Sequence, residues 1–383
     1  MVDGATRRKI AAALPRFPQE DLEEILPAVG AILKSGRLIL GPHTQQFEDA
    51  FKSYVGTEHA VAVSTCTAAL QIALRFHRVQ GREVILPTNN FIGVVSAVLY
   101  EGGIPVLADM DPGTFCMDLD DAIARITPRT AAIVVVHIAG RVDPGIDRLR
   151  KLCDERGLFL IEDAAHAHGA ALGSRKAGSL AETACFSFYP TKIITTGTGG
   201  MITTSNAKLA QFARSLRHHG AGAGLDDVVN LGNDWCLGEI NALLGMFQLK
   251  RLDENVAHRN RMVDLYRQRL GNEKWLTIPA HPGNVRHAYY KFPVLLDAGL
   301  DRDRFRRMLW SDFGIENGAI YDPPCHLQPV LRHMFGFAEG MFPKAEATLK
   351  RQICPPIHSL LSDEDVDTVA DAMIAVASQC RRG

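Results

Sequence analysis

Between residues 60 and 162 the chain repeats one unit, a short and almost unbroken apolar run that ends in a turn and gives way to a helical period. The runs lie at 60–64, 83–87, 104–108, 131–136 and 158–162, with helical segments at 67–75, 91–100 and around 147–155. Strands that are apolar on both faces have to be covered on both faces, so this alternation calls for an α/β fold, a mainly parallel sheet with helices above and below. In the 67–75 helix, Leu70, Ile72 and Leu74 turn inward. Ligands of such sheets sit outside the carboxyl ends of the strands, and those ends are where chemistry is sought.

After residue 204 the pattern changes to long helices, at 206–217 and 239–268, the second with an apolar face that includes Leu243, Phe247 and Leu252. A turn-rich stretch with Pro279, Pro282 and Gly283 follows, then a strand at 289–296, a helix at 301–313, a loop and a last helix at 362–377. These predict a smaller α+β domain, with 1–250 as the large domain and 251–383 as the small one. An amino-terminal helix at 19–34 stops at Ser35-Gly36. With 383 residues, 46% of them hydrophobic, the chain is long enough to bury both cores.

Charge excludes some partners. Forty-two basic and 43 acidic side chains leave a formal net charge of -1, which gives neither nucleic acid nor an anionic membrane a reason to bind. Arg7-Arg8-Lys9 and Arg381-Arg382 are expected as solvated termini. Eight cysteines with no C-x-x-C pairing point to a reducing compartment and to no metal site. No signal-like apolar core of about 7–15 residues and no run of about 18 apolar residues is present, so the expected location is the cytoplasm.

Two segments carry chemistry. One apolar strand ends in Glu162-Asp163-Ala164-Ala165-His166; the other is Phe186-Ser187-Phe188-Tyr189-Pro190-Thr191-Lys192, ahead of Gly197-Thr198-Gly199-Gly200. Lys192 supplies an amine for an aldehyde and Asp163 a carboxylate for a pyridine nitrogen, the pair that pyridoxal phosphate needs. Taken singly, each residue has a plainer use. Lys192 suits a solvated surface and Asp163 a helix N-cap; His166, one turn on if that helix forms, suits the cofactor ring or the core. The turn Ser64-Thr65-Cys66-Thr67-Ala68 opens a helix and offers free N–H groups to a phosphate, with Ser187 adding a hydroxyl; alternatively Thr67 caps its helix and Ser187 pairs inside the core. Phe91, after a strand end, stacks on the ring or fills the core. Tyr321 and His326 stand in a proline-rich loop that either closes over a substrate or holds itself together.

Together these segments resemble the DegT/DnrJ/EryC1/StrS sugar aminotransferases, a branch of the fold-type I, aspartate-aminotransferase-like enzymes. The likeness starts at Gly36-Arg37-Leu38-Ile39-Leu40-Gly41-Pro42 and ends at Phe342-Pro343-Lys344-Ala345-Glu346. It implies a seven-stranded sheet, Lys192 as the Schiff-base lysine, Asp163 on the pyridine nitrogen, Phe91 stacked on the ring, His166 beside it, and Cys66, Thr67 and Ser187 on the phosphate. It also implies a homodimer with shared active sites and a reaction in which glutamate or glutamine donates its amino group, by way of pyridoxamine phosphate, to the ketone of a nucleotide-linked keto-sugar or a cyclitol. Sugar dehydratases of the family carry histidine in place of the lysine, so Lys192 favours amination over dehydration or a regulatory role without turnover. Two positions depart from the pattern. Cys66 replaces a usual glycine, and Gly232-Asn233-Asp234-Trp235-Cys236 puts aspartate where an asparagine reaches the neighbouring subunit's phosphate and cysteine where arginine is common. Either Asn233 takes over that contact or it is lost; Asn233 is the candidate.

Overall fold

The computed structural model describes residues 9–280 and 283–381; Arg7, Arg8, Pro282 and Arg382 lie outside them. Its large sheet contains β1 (His59–Val63), β2 (Glu83–Pro87), β3 (Ile104–Ala108), β4 (Thr130–Val136), β5 (Phe159–Asp163), β8 (Thr183–Ser187) and β9 (Gly200–Thr204). The intervening β6 (Ala171–Leu172) and β7 (Arg175–Lys176) form a small sheet with β11 (Val285–Arg286). Strand order in the large sheet is β1-β9-β8-β5-β4-β2-β3. All its pairings are parallel except those of β9, which runs against both β1 and β8. The expected α/β architecture, a mainly parallel seven-stranded sheet, is therefore present.

Period-two alternation sends successive strand residues to opposite faces. Val61 and Val63 pack with α3 (Cys66–Phe76), α4 (Ile92–Tyr100) and α7 (Ala207–Leu216), whereas Ala60 and Ala62 pack with α2 (Pro42–Val55), α6 (Ile146–Arg156) and α8 (Glu239–Lys250). Leu70, Ile72 and Leu74 are all buried in α3, as their spacing predicts. The remaining helix of this half, α5 (Leu119–Ala124), is short, and α1 (Gln19–Ser35) lies on α8 through Ile25, Ile32, Leu243 and Phe247.

A separate apolar cluster joins α9 (Leu252–Leu270), α10 (Arg302–Phe313) and α13 (Asp363–Gln379) with the sheet β10 (Leu276–Thr277), β12 (Val294–Leu296) and β13 (Gln352–Ile353). Between them come α11 (Pro329–Phe335) and α12 (Pro343–Leu349). The single helix expected over 239–268 is two helices. They meet at Arg251, whose φ of -94° and ψ of -3° bend the chain without disturbing its apolar period, while its guanidinium reaches back to Glu20 and Asp21. The strand expected over 289–296 also shrinks. Only Val294–Leu296 joins a sheet, because Ala288 N donates to Gly140 O at 2.8 Å and Lys291 N to Ala139 O at 3.2 Å, docking the aromatic stretch against the large domain.

Candidate active site

At the carboxyl ends of β4, β5 and β8 a cavity of about 480 Å³ opens, lined by Val136, Asp163 and Ser187 of those strands. Strand β8 explains its own sequence. Phe186 and Phe188 point to one face, where their rings lie 4.9 and 5.5 Å from that of Phe51, and Phe188 lies 5.2 Å from Phe47; Ser187 points to the other face and into the cavity. Each such ring pair contributes about 0.5–1.5 kcal/mol beyond burial, so the aromatics anchor the strand from which the lysine loop departs.

That loop is tied at both ends. Lys192 N donates to Tyr189 O at 2.9 Å, and Phe188 exchanges backbone bonds with Gly199 and Thr196. Asn241 Nδ2 holds Thr196 O at 2.6 Å. Lys192 Nζ stands 4.5 Å from the ring centre of Tyr290, whose hydroxyl meets Thr191 Oγ1 at 3.1 Å. Burial raises the Tyr290 pKa, but Lys192, Lys291, the Thr191 hydroxyl and Arg259 together hold the phenol below its ordinary value.

Asp163 ends β5 and is buried, which raises its carboxyl above the usual range; the Ala165 N–H and the Lys192 charge act the other way. No helix follows it, so the N-cap alternative fails: Asp163 Oδ1 accepts from Ala165 N at 3.0 Å within a turn. His166 therefore reaches the cavity from a turn and not from one helical step further on. Ala139 N donates to His166 Nδ1 at 3.3 Å, which leaves the ring proton on Nε2, 2.9 Å from the Tyr321 hydroxyl. Burial, then the charges of Lys192 and Lys291, keep His166 well below its ordinary pKa and neutral. Gly140 permits this arrangement, since a Cβ there would stand 2.8 Å from Tyr290 N and 3.0 Å from His166 O.

On the same edge of the sheet, just past the carboxyl end of β1, α3 begins. Its N-cap is Thr65, accepting from Ala68 N at 3.0 Å, and not Thr67. The N–H groups of Cys66 and Thr67 find no acceptor among the described residues, as expected of a first helical turn. Thr67 and Ser187 bring hydroxyls to the same wall. Cys66 opens α3 without a left-handed backbone, so its side chain causes no strain of that kind, and burial followed by the Asp163 charge keeps its thiol protonated. Phe91 is not a core residue. It is 56% exposed at the start of α4, with its ring 6.1 Å from that of Tyr321 across the mouth.

Asn233 is not brought into this cavity. It is exposed and its Oδ1 accepts from Asp234 N, while the neighbouring Trp235 O accepts from Ser64 N at 2.7 Å, so the segment runs along the outside of the α3 turn. Cys236 Sγ donates to Arg217 O and also stays outside. His326 of the proline-rich loop is fully buried between Thr88 Oγ1 at 2.7 Å and Glu346 Oε1 at 3.0 Å. This hydroxyl–imidazole–carboxylate chain is closed to substrate, because Thr88 is itself 0% exposed; it ties the loop to the end of β2 and to α12. Sequence reasoning missed Tyr290, which stands near the start of the stretch read as a strand over 289–296 and carries no local signal of its place beside Lys192.

The arrangement fits pyridoxal phosphate. Free N–H groups and hydroxyls suit the phosphate, the buried Asp163 carboxylate suits the pyridine nitrogen, and Lys192 suits the aldehyde. Comparisons agree. The model of the DegT/DnrJ/EryC1/StrS aminotransferase family matches residues 19–374. The chain is 36% identical to GDP-perosamine synthase of Caulobacter vibrioides over 95% of its own length and 97% of that protein's. The aminotransferase TlmJ of Streptoalloteichus hindustanus superposes with a TM-score of 0.89 at 33% identity, covering 97% of this chain and 99% of that one. DesV of S. venezuelae, solved in complex with a ketimine intermediate, superposes with a TM-score of 0.88 at 32% identity, covering 95% and 99%. With family, fold and cavity in agreement, this chain belongs to the DegT/DnrJ/EryC1/StrS aminotransferases and is a pyridoxal-phosphate-dependent enzyme.

Proposed function

We propose that the protein transfers an amino group from glutamate or glutamine to the ketone of a nucleotide-linked keto-sugar or a cyclitol. The observation that carries this reading is the convergence of Lys192 and Asp163 on one cavity whose far wall offers unclaimed N–H and hydroxyl donors. A relative named GDP-perosamine synthase supports a nucleotide-linked sugar as the acceptor class.

Bound pyridoxal phosphate supplies the electron sink. Cys66 and Thr67 would hold the phosphate through their N–H groups, aided by the Thr67 and Ser187 hydroxyls, Phe91 would lie against the ring, and Asp163 would keep a proton on the pyridine nitrogen. His166, fixed as the Nε2–H tautomer, donates to Tyr321 Oη, so the Tyr321 hydroxyl proton is free to face the substrate. Lys192 would hold the cofactor's aldehyde through its amine, and that amine, once free, would be the group that carries the proton of the transfer. Exposed Leu225, Val228, Val229 and Leu231 flank Asn233; this supports a homodimer in which Asn233 reaches the partner's phosphate. Eight unpaired thiols, and no helix long and apolar enough to cross a membrane among the described residues, support the cytoplasm as its compartment.

Purified protein should show the visible absorbance of lysine-bound cofactor, lose it in Lys192→Ala, and lose it reversibly on mixing with glutamate or glutamine. A spectrum that no amine donor changes would refute the proposal.

A further inference from the structure

The proposed transfer begins with an amino acid, which brings a carboxylate into the cavity on the carbon that bears its amine. Asp163 already places one buried carboxyl group there, and a second buried anion is stable only beside a cation. Among the residues lining the cavity Lys192 is the one lysine or arginine, and its amine is engaged with the cofactor. Two cations behind the lining act on the Tyr290 hydroxyl, Lys291 and Arg259. Arg259 is sealed in the core at 3% exposure, with Nη1 donating to Tyr289 O at 2.9 Å and Ile357 O at 3.0 Å.

Lys291 differs on every count. It is half-buried and makes no ion pair among the described residues. Its Nζ stands 5.6 Å from the Tyr290 ring centre, the same ring that Lys192 Nζ approaches to 4.5 Å, so the two nitrogens are no farther apart than those distances laid end to end. The two ammoniums therefore share one ring of the cavity lining, and a donor whose amine reacts at Lys192 carries its carboxylates along that ring toward Lys291. Gly318 leaves the Lys291 ammonium its place, since a Cβ there would lie 2.8 Å from Nζ. The Lys291 backbone is fixed by its bond to Ala139 O, the residue whose own N–H sets the His166 tautomer.

We infer that Lys291 binds a carboxylate of the amino donor, forming the cationic end of a subsite whose reactive end is Lys192. This rests on the aminotransferase reading. Wild-type and Lys291→Met holoenzyme are mixed with L-glutamate and with L-glutamine, without acceptor, while the cofactor's visible absorbance is followed. Glutarate, which has carboxylates but no amine, is titrated separately by calorimetry. The variant should need about ten- to a hundredfold more of each donor for half-saturation and bind glutarate more weakly by a similar factor. Its limiting rate should change by less than about twofold, and Lys291→Arg should restore most of the affinity. Dependence for glutamate alone assigns Lys291 to the side-chain carboxylate; dependence for both donors assigns it to the α-carboxylate. Equal half-saturation in wild type and variant, or an effect confined to the keto-acceptor half of the reaction, would overturn the inference. Failure of wild type to respond to either donor would instead overturn the aminotransferase reading.

Discussion

Glu162 and Asp163 are neighbours on β5 with opposite tasks, decided by which face each side chain meets. Glu162 accepts from Gly178 N, Leu180 N and Ala181 N and meets His137 Nε2 at 2.8 Å, so it is fully engaged in holding the chain after the strand. Asp163 turns to the cavity with one short-range bond. Strand alternation makes this division legible in sequence, as it does for Ser187 between Phe186 and Phe188. Tyr290 and Lys291 were not legible, because their place depends on docking against Ala139 and Gly140, some 150 residues away. Asp163→Asn tests this division. It keeps the shape and the Ala165 contact but removes the charge facing the pyridine nitrogen, so cofactor should still bind while turnover falls about a hundredfold or more. Steady-state amination rates beside cofactor titration would check this; unchanged turnover would sink Asp163 as the ring partner.

Helix α2 shows what a period cannot reveal. Its first residue is Pro42, which has no N–H, and the donors around it, from Gly41, His43 and Thr44, all converge on the Glu239 carboxylate at 2.8–2.9 Å. Burial raises the Glu239 pKa, but the Thr44 hydroxyl together with these N–H bonds outweighs it and holds the carboxylate below the usual range. Glu239 is also the first residue of α8, so one side chain fastens two helix starts that lie nearly 200 residues apart. The helix that begins at Glu239 was legible from its apolar period; α2 and the joint between the two were not, since no local pattern marks an acceptor so distant. Glu239→Gln keeps some acceptors but loses the charge at the α2 amino end, and should destabilise the fold by about 1–3 kcal/mol. Urea unfolding would show this as a lower midpoint at unchanged slope; an unchanged midpoint would deny the joint its role.

Across the whole molecule, buried histidines set the response to acid. His77, His166, His168 and His358 are each no more than 5% exposed. Burial pushes His77 and His358 down to about 4 and His168 to about 3, and His166 well below its ordinary value. The unfolded chain takes up these protons near pH 6.5 and the folded one refuses them, so stability is intact above about 6.5 and declines as pH falls, by up to about 1.4 kcal/mol per pH unit for each group. Asp143, raised to about 6 by burial, binds its proton more readily when folded and opposes the trend. The melting temperature should therefore drop between pH 7 and 5; a flat or rising profile would contradict the balance.

One reversed strand has a consequence for inheritance. Because β9 runs against its neighbours, its first residue lies at the cavity end of the sheet, and the chain leaving β8 returns to that edge after carrying Lys192. The return point, Gly200, is where a Cβ would stand 2.4 Å from both Thr65 C and Thr65 O, main-chain atoms just ahead of α3. No rotamer relieves a clash with backbone. In a saturation library, position 200 should accept glycine alone, and any lineage drifting there would have to move the helix start that faces the phosphate before it could keep a side chain.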